Sequence, residues 1–312
     1  MITAPSTDTH NNTEEVTCNI HDTALIFEGG GMRASYTAGA LVTLLEENLH
    51  FDHVYGISAG ASHTVNYLSR DIERAKASFV DLVHYPHFGG ISTFLQGKGY
   101  FNAEYIYEGL IEELLGSDDP MAFDWDMFCA NPADFHIEAI DWDTGETVTW
   151  TKKDITSPID LGLKVRASST MPIFMPPTEI DGHTYLDGGM GSSWGILLDA
   201  ARADGFEKFF IVRTQEKSYR KKPVGFSGSL LKMAFRKHPV IAERTIERWQ
   251  HYNALLDEIE RLEAEGKAYV FYPEVMNISN KETDHQKLQD SYNRGYEQAQ
   301  REKDAWRHFL FG

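Results

Sequence analysis

The feature that most constrains the fold is a pattern that occurs twice near the N-terminus: a short apolar segment, a glycine-containing turn and a helix. The first unit comprises Ala24–Phe27, Gly29–Gly31 and Ala34–Glu47, and the second comprises His53–Tyr55, Gly56–Gly60 and Ala61–Leu68. Short apolar runs that alternate with helices are typical of buried strands in a parallel sheet. The pattern therefore predicts an α/β fold, a three-layer α/β/α sandwich with a mostly parallel central sheet.

Further elements along the chain fit this architecture. The sequence predicts two hairpins, the second of them around the Asp181-Gly182 dipeptide that favours a tight turn. It also predicts three single strands and two more helices, of which the last opens with the pattern of a capping box. The first hairpin pairs Phe135–Asp141 with Glu146–Thr151, and the second pairs Thr178–Ile180 with His183–Leu186. The single strands are Leu163–Ala167, Phe209–Arg213 and Ala268–Tyr272. The helices are Tyr105–Leu115 and a long one that begins at Thr283–Gln286.

Charge and composition exclude some classes of function. The 312 residues carry a formal net charge of −18, which disfavours nucleic acid as a partner because phosphate binding requires a basic surface. Residues 1–21 lack the basic start and apolar run of a secretory signal, so we expect a disordered tail and a cytoplasmic protein. Cys18 and Cys129 are then expected to be reduced thiols.

The turn after the second predicted strand has the form Gly-x-Ser-x-Gly, with Gly56, Ser58 and Gly60. A serine at the apex of a sharp strand-to-helix turn has strained backbone angles, and small neighbours leave its oxygen exposed. The helix that follows favours developing negative charge near its N-terminus. This context predicts that Ser58 is a nucleophile.

The turn after the first strand reads Glu28-Gly-Gly-Gly-Met-Arg-Ala34. Consecutive glycines present backbone N–H groups, so Gly29, Gly30 and Gly31 are candidates for an oxyanion hole. The same glycines also satisfy a dinucleotide-binding pattern, and Asp52 lies at the spacing expected for its ribose-binding acid. A Rossmann-like nucleotide-binding protein is therefore an alternative, although it gives Ser58 no role.

A third motif, Asp187-Gly188-Gly189, follows the second strand of the predicted second hairpin. Two glycines allow another part of the backbone to approach the carboxylate closely. A base for Ser58 must lie within hydrogen-bonding distance of it, and Asp187 is the candidate.

Together and in this order, the three motifs resemble those of the patatin-like phospholipase family: G-G-G-x-R-G, G-x-S-x-G and D-G-[GA]. The resemblance covers about residues 24–198 and includes Arg33 in the glycine loop, Gly56 and Gly60 around the serine, and Gly188 and Gly189 after the aspartate. The glycine loop departs from the family pattern only in Ala34. The segment from Lys164 to Pro172 also resembles the family, and the C-terminal third resembles a bacterial subgroup of it.

The resemblance implies a serine hydrolase of lipid acyl esters that uses a Ser58–Asp187 dyad, with no metal and no other cofactor. It also suggests residues 22–215 as the catalytic domain and residues 216–312 as a C-terminal region packed on the same domain. A catalytically silent member of the fold remains an alternative. Another is an α/β-hydrolase with a Ser-Asp-His triad, for which the candidate histidines are His238, His251, His285 and His308.

Two weaker patterns have simpler interpretations. His84 and His87 resemble a pair of metal ligands but lack a carboxylate at helical spacing, so an aromatic loop is the better prediction. Asp141-x-Asp143-x-Gly145 resembles the start of a calcium loop, but position 152 is lysine instead of glutamate. A hairpin turn is therefore predicted there.

Basic residues concentrate in one segment of this acidic chain. Residues 211–250 contain ten basic and three acidic side chains, a net charge of +7, which leaves −25 for the rest. Within it, Leu230–Phe235 has the pattern of an amphipathic helix with a basic rim, as helices at membrane surfaces do. We expect either peripheral contact of Lys217–Lys237 with the inner face of a membrane or an ordinary surface helix paired with acids.

Overall fold

The computed structural model of the protein describes residues 16–172, 174–225 and 227–312. Most of the expected disordered tail, residues 1–15, lies outside the described residues. The sequence assigns residues 16–21 to that tail as well, but Ile20 is buried and forms a parallel bridge with Phe51. At least Ile20, which the sequence assigns to the tail, is therefore part of the fold.

An eight-stranded sheet forms the centre of the fold. Its strands are β1 (Thr23–Phe27), β2 (His53–Gly56), β3 (Asp134–Asp141), β4 (Thr147–Trp150), β5 (Thr178–Ile180), β6 (His183–Asp187), β7 (Lys208–Val212) and β8 (Ala268–Phe271). The spatial order is β5-β6-β3-β2-β1-β7-β8, with β4 paired to β3. The five adjacent strands in the order β3-β2-β1-β7-β8 pair in parallel. Strands β4 and β6 each pair antiparallel with β3, and β5 pairs antiparallel with β6. The predicted fold class and both hairpins are confirmed.

Helices cover both faces of this sheet. They are α1 (Ala34–Glu46), α2 (Ala59–Leu68), α3 (Ile72–Ala77), α4 (Ile91–Leu95), α5 (Leu110–Leu114), α6 (Trp125–Ala130), α7 (Pro158–Ser169), α8 (Leu198–Ala203), α9 (Ser227–Ala234), α10 (Pro239–Ala264) and α11 (His285–Phe311). Strand β1 alternates between the two layers: Leu25 and Phe27 pack with α1 and α11, and Ala24 and Ile26 pack with α8 and α10. The alternation gives the sandwich two separate apolar layers.

The predicted strand Leu163–Ala167 is wrong, because these residues lie inside helix α7. Ser157 caps that helix by accepting a hydrogen bond from the Asp160 N–H, and Pro158 occupies its first turn. Both are strong signals for a helix start. They lie upstream of the apolar run, and they outweigh the run's resemblance to a short strand.

The C-terminal region completes the same core. Strand β8 extends the sheet beside β7, and α11 packs along α1. Asp284 caps α11 by accepting a hydrogen bond from the Lys287 N–H at 3.1 Å, one residue later than the predicted cap at Thr283. The two helices touch at Gly39 and Gly295, where an added Cβ would overlap the backbone of the opposite helix.

Cys18 and Cys129 are both free. Within the described ranges, no helix is both long enough and apolar enough to span a bilayer. The Asp141–Gly145 segment forms the turn between β3 and β4, where the Asp141 carboxylate accepts hydrogen bonds from the N–H groups of Asp143 and Thr144. The hairpin interpretation of this segment is confirmed.

Candidate active site

Ser58 lies at the apex of the turn between β2 and α2. Its backbone angles are φ 56° and ψ −126°, in a region that residues with a side chain rarely adopt. Gly56 and Gly60 allow this turn, because a Cβ on Gly56 would overlap the Gly60 carbonyl and a Cβ on Gly60 would overlap the Phe27 carbonyl. The side chain of Ser58 is directed into a cavity although the residue is only 9% exposed.

Asp187 ends strand β6 and is 7% exposed. Its carboxylate accepts a hydrogen bond from the Gly189 N–H at 2.7 Å, and Asp187 lines the same cavity as Ser58. Burial raises the pKa of Asp187 above its usual range, although the Arg248 charge and the hydrogen bonds from Ser58 and Gly189 oppose the rise. The structure thus brings the two predicted residues together, with a carboxylate that is more basic than an exposed one.

The glycines after Asp187 are needed for close packing. A Cβ on Gly188 would overlap the Glu138 carbonyl. A Cβ on Gly189 would lie 2.8 Å from Asp187 Oδ1 and would overlap the Arg248 guanidinium. A larger residue at position 188 would therefore clash with the backbone of β3, and one at position 189 would crowd the Asp187 carboxylate.

The glycine loop passes beside the serine, and its three N–H groups are not equivalent. A Cβ on Gly29 would lie 3.1 Å from Ser58 Cβ, which shows how close the two turns are. The Gly29 N–H donates to the Gly195 carbonyl at 3.3 Å. Among the described residues, none accepts a hydrogen bond from the N–H of Gly30 or Gly31. Only these two of the three predicted donors are left for a ligand.

A buried network that the sequence did not reveal holds the glycine loop from behind. The Glu28 carboxylate accepts hydrogen bonds from Arg213 Nε at 2.8 Å, from the Thr214 N–H at 2.7 Å and from the Tyr252 hydroxyl. These partners lie about 185 to 224 residues further along the chain. No local motif connects residues so far apart, and only the fold brings them together.

Ser58 lies where two cavities meet. The first is apolar and has a volume of about 100 Å³. Its walls include Val65, Phe79, Phe88, Phe101, Ile111 and the four methionines Met32, Met121, Met171 and Met175. The second contains Gly30, Gly31 and Asp187 together with the three cations Arg33, Lys221 and Arg248. An ester carbonyl at Ser58 would have an apolar space on one side and a positively charged one on the other.

The histidines proposed for a triad lie elsewhere. No histidine is among the described residues that line either cavity. His238 pairs with Asp143 at 3.1 Å, His251 stacks on Trp194, and His285 contacts Asp81 at 2.9 Å. His308 is exposed in the last turns of α11. A serine–histidine contact is thus absent from this part of the described structure.

The nucleotide-binding and metal-binding alternatives find no matching geometry either. Asp52 precedes β2 and receives hydrogen bonds from His21 and His53, whereas the glycine loop follows β1. Because β1 and β2 are parallel, Asp52 and the glycine loop lie at opposite edges of the sheet. His84 stacks near His285, but within the described ranges no three metal-ligating side chains are grouped to hold an ion.

Comparison with known proteins identifies the family of the chain. A sequence profile of the patatin-like phospholipase family matches residues 25–199, and a profile described only as a domain of unknown function, DUF6363, matches residues 238–311. The uncharacterized protein YjjU of Escherichia coli K12 is 24% identical to this chain over 198 residues. The match covers 61% of this chain and 51% of YjjU, so the chain spans about half the length of that relative. The crystal structure of VipD from Legionella pneumophila aligns over 91% of this chain and 67% of that one, with 12% identity and a TM-score of 0.46. Because the first profile covers more than half of the chain, the protein belongs to the patatin-like phospholipase family.

Proposed function

We propose that the protein is a serine hydrolase of lipid acyl esters in which Ser58 is the nucleophile and Asp187 is the base. The observation that carries the proposal is that these two buried residues line one charged cavity, and that Ser58 also lines the apolar cavity beside it. In the absence of a histidine among the described lining residues, Asp187 is the group able to accept the serine proton.

The reaction would proceed in two steps. Ser58 Oγ attacks the ester carbonyl carbon as its proton passes to Asp187, and the carbonyl oxygen becomes an oxyanion. The free N–H groups of Gly30 and Gly31 donate to that oxyanion. The tetrahedral intermediate then collapses, the alcohol leaves with the proton from Asp187, and Ser58 remains acylated. In the second step, water gives a proton to Asp187 as it attacks the acyl carbon. Ser58 Oγ then leaves with that proton, which releases the fatty acid and restores the free serine and carboxylate.

The apolar cavity suits the acyl chain. Four of its lining side chains are methionines, which are unbranched and adapt to irregular shapes. The cavity has a volume of only about 100 Å³, so an entering acyl chain must displace flexible side chains. We therefore expect the enzyme to accept a range of acyl lengths.

We propose that helix α9 and the residues directly after it form the membrane contact. This region is shorter than Lys217–Lys237, the segment expected from the sequence. Lys217 pairs with Glu263, Arg220 pairs with Asp257 and Glu260, and Lys221 lines the charged cavity. These three are therefore engaged within the protein. Within Lys217–Lys237, the cations that neither pair with a described acid nor line the charged cavity are Lys222, Lys232, Arg236 and Lys237.

The apolar side chains of α9 support the same contact. Leu230 and Met233 are 62% and 67% exposed, while Leu231 lines the charged cavity. An exposed apolar pair with a basic rim favours binding to an anionic bilayer. Because α9 borders the cavity, such binding would bring the bilayer to the entrance of the site.

A hydrolysis panel tests the proposed activity. The purified protein is assayed with p-nitrophenyl esters of increasing length and with phospholipids, with and without EDTA. We expect ester cleavage that EDTA does not reduce, and loss of cleavage in Ser58→Ala but not in Ser192→Ala, an exposed serine near the site. Cleavage that EDTA removes and calcium restores would contradict the proposed mechanism.

A further inference from the structure

Three cations in the charged cavity have no role in the proposed dyad chemistry. Arg33, Lys221 and Arg248 line the same cavity as Ser58 and Asp187. None of them forms an ion pair with a residue that the structure describes, whereas the nearby Arg213 pairs with Glu28 at 2.8 Å. Three unpaired cations in one cavity are unusual in a protein with a formal net charge of −18.

The cations have unused hydrogen-bond donors. The Nε atoms of Arg33 and Arg248 are buried, and neither has an acceptor within the described part of the chain. Buried donors are nearly always satisfied in folded proteins, and each that is not destabilises the fold. An acceptor brought by a ligand would satisfy them.

The surrounding residues hold the cations in place. A Cβ on Gly195 would lie 3.0 Å from Arg248 Nη2, and one on Gly189 would overlap it, so these glycines make room for the guanidinium. The backbone of Lys221 is fixed by two hydrogen bonds with the Asn253 side chain, at 2.8 and 3.0 Å. Its ammonium group lies 4.7 Å from the centre of the Tyr252 ring.

The charges in the cavity also favour binding of an anion. Burial, together with the charges of Arg248 and Arg33, lowers the pKa of Lys221 to about 7, although Glu28 and Asp187 oppose the shift. A bound anion would remove the repulsion among the cations and favour the charged form of Lys221. Guanidinium groups also match the geometry of phosphate oxygens, to which they donate paired hydrogen bonds.

We propose that Lys221 and Arg248, together with Arg33, form a subsite for the phosphate group of an anionic lipid ester. This inference rests on the proposed function, since the ester must lie at Ser58 while the acyl chain enters the apolar cavity and the phosphate enters the charged one. Arg248 lies on α10, so the region matched by the domain of unknown function contributes a residue to substrate binding.

The test measures binding without turnover. In a Ser58→Ala protein, calorimetry compares a 1-O-alkylglycerol 3-phosphate with the matching 1-O-alkylglycerol, two ether lipids that differ only in the phosphate. We expect the phosphate lipid to bind at least tenfold more tightly. Lys221→Gln and Arg248→Gln, each added separately, should remove most of this preference, while Lys222→Gln at the exposed neighbouring position should keep it. Thermal melting identifies any variant that fails to fold, and the other variant then serves as the test.

Other outcomes would overturn the proposal. Equal affinity for the two lipids, or a preference that neither substitution reduces, would exclude the subsite. Inorganic phosphate that binds as tightly as the lipid phosphate would indicate a site for the free ion instead. The binding assay uses a protein without its nucleophile, so its result does not depend on hydrolysis. If Ser58→Ala prefers the phosphate lipid but the wild-type protein hydrolyses no ester, only the proposed activity is contradicted, and the subsite is not.

Discussion

At the scale of the residue, the site combines a strained serine with a destabilised carboxylate. Ser58 has a positive φ, and a non-glycine residue in such a conformation raises the free energy of the fold by about 1–3 kcal/mol. Asp187 is buried, and burial disfavours its charged form. Both features lower the stability of the fold, and both favour catalysis. The backbone conformation of Ser58 presents its hydroxyl to the cavity, and burial makes Asp187 a stronger base.

Asp187→Asn should therefore stabilise the protein while it abolishes hydrolysis. The pKa of Asp187 is higher in the folded than in the unfolded protein, so its contribution to stability is lost as pH rises through the folded value. At neutral pH the ionised carboxylate costs stability that asparagine avoids. We expect the melting temperature of the variant to exceed that of the wild type by about 2 °C or more at pH 8. The difference should disappear below about pH 3, where the carboxyl is neutral in both the folded and the unfolded state. A lower melting temperature at pH 8 would contradict this account.

Gly30→Ala tests the oxyanion donors. A Cβ at this position would lie 2.6 Å from Thr214 Oγ1, so the loop must shift and move the N–H groups of Gly30 and Gly31. Oxyanion donors act mainly on the transition state, and loss of one donor lowers kcat by about 10²–10³-fold in known enzymes. We expect kcat to fall far more than KM rises. Gly225→Ala, where an added methyl meets no atom within 4 Å, is the control. A change in KM alone would exclude the assignment.

The sequence predicted the motif residues at this scale but not their partners. Ser58, Asp187 and the glycines belong to short patterns whose chemistry can be read locally. The glycine pattern predicted three equivalent N–H donors for an oxyanion hole. In the fold, the Gly29 N–H instead donates a hydrogen bond to the Gly195 carbonyl. Lys221, Arg248 and Tyr252 reach the site from distant parts of the chain, and no local pattern marks them.

At the scale of the element, turn chemistry decided which predictions were right. The Asp181-Gly182 dipeptide predicted its hairpin because both residues adopt positive φ, 52° and 81°. Periodicity alone misidentified the apolar run of α7, whose identity is set by the cap at Ser157 and Pro158. Short apolar runs fit strands and helices equally, so the boundaries carry the distinguishing information.

The contact between α1 and α11 yields a prediction about stability. A methyl group on Gly295 would overlap the carbonyl of Tyr36, and both groups lie in rigid helical backbone. Gly295→Ala should therefore lower the free energy of unfolding by about 1–3 kcal/mol, measured by chemical denaturation. Gly228→Ala in α9 is the control, because its methyl would make only an ordinary contact at 3.7 Å with Ile246. That variant should be neutral or stabilised, since alanine favours a helix. Equal stability of Gly295→Ala and the wild type would argue against the close helix contact.

At the scale of the whole molecule, charge is distributed unevenly. The basic segment, residues 211–250, is not a uniform surface: Arg213 is buried with Glu28, Lys217 and Arg220 pair with acids of α10, and Lys221 lines the cavity. The ion pairs of Lys217 and Arg220 agree with the expectation that basic residues of this segment pair with acids. The exposed cations around α9 are the part of the segment for which the membrane contact is proposed.

A charge-reversal triple of Lys232, Arg236 and Lys237 to glutamate tests that contact. If α9 binds an anionic bilayer, each cation near the surface contributes about 1 kcal/mol, so the triple variant should lose binding to anionic vesicles in a flotation assay. Its activity on a soluble short-chain ester should persist. A control triple with the same change of charge at the exposed residues Lys153, Lys267 and Lys287 should keep vesicle binding. Equal loss in both triples would mean that net charge, and not α9, governs adsorption.

The central claim is that Ser58 is a nucleophile activated by Asp187, and labelling with a fluorophosphonate probe tests it most directly. The probe reacts with activated serines, and peptide mass spectrometry locates the adduct. We predict a single adduct on Ser58 in the wild type, none in Ser58→Ala, and strongly slowed labelling in Asp187→Asn, while substitution of His238, His251, His285 or His308 leaves the rate unchanged. An unlabelled Ser58 in folded wild-type protein, or labelling that depends on one of these histidines and not on Asp187, would contradict the account.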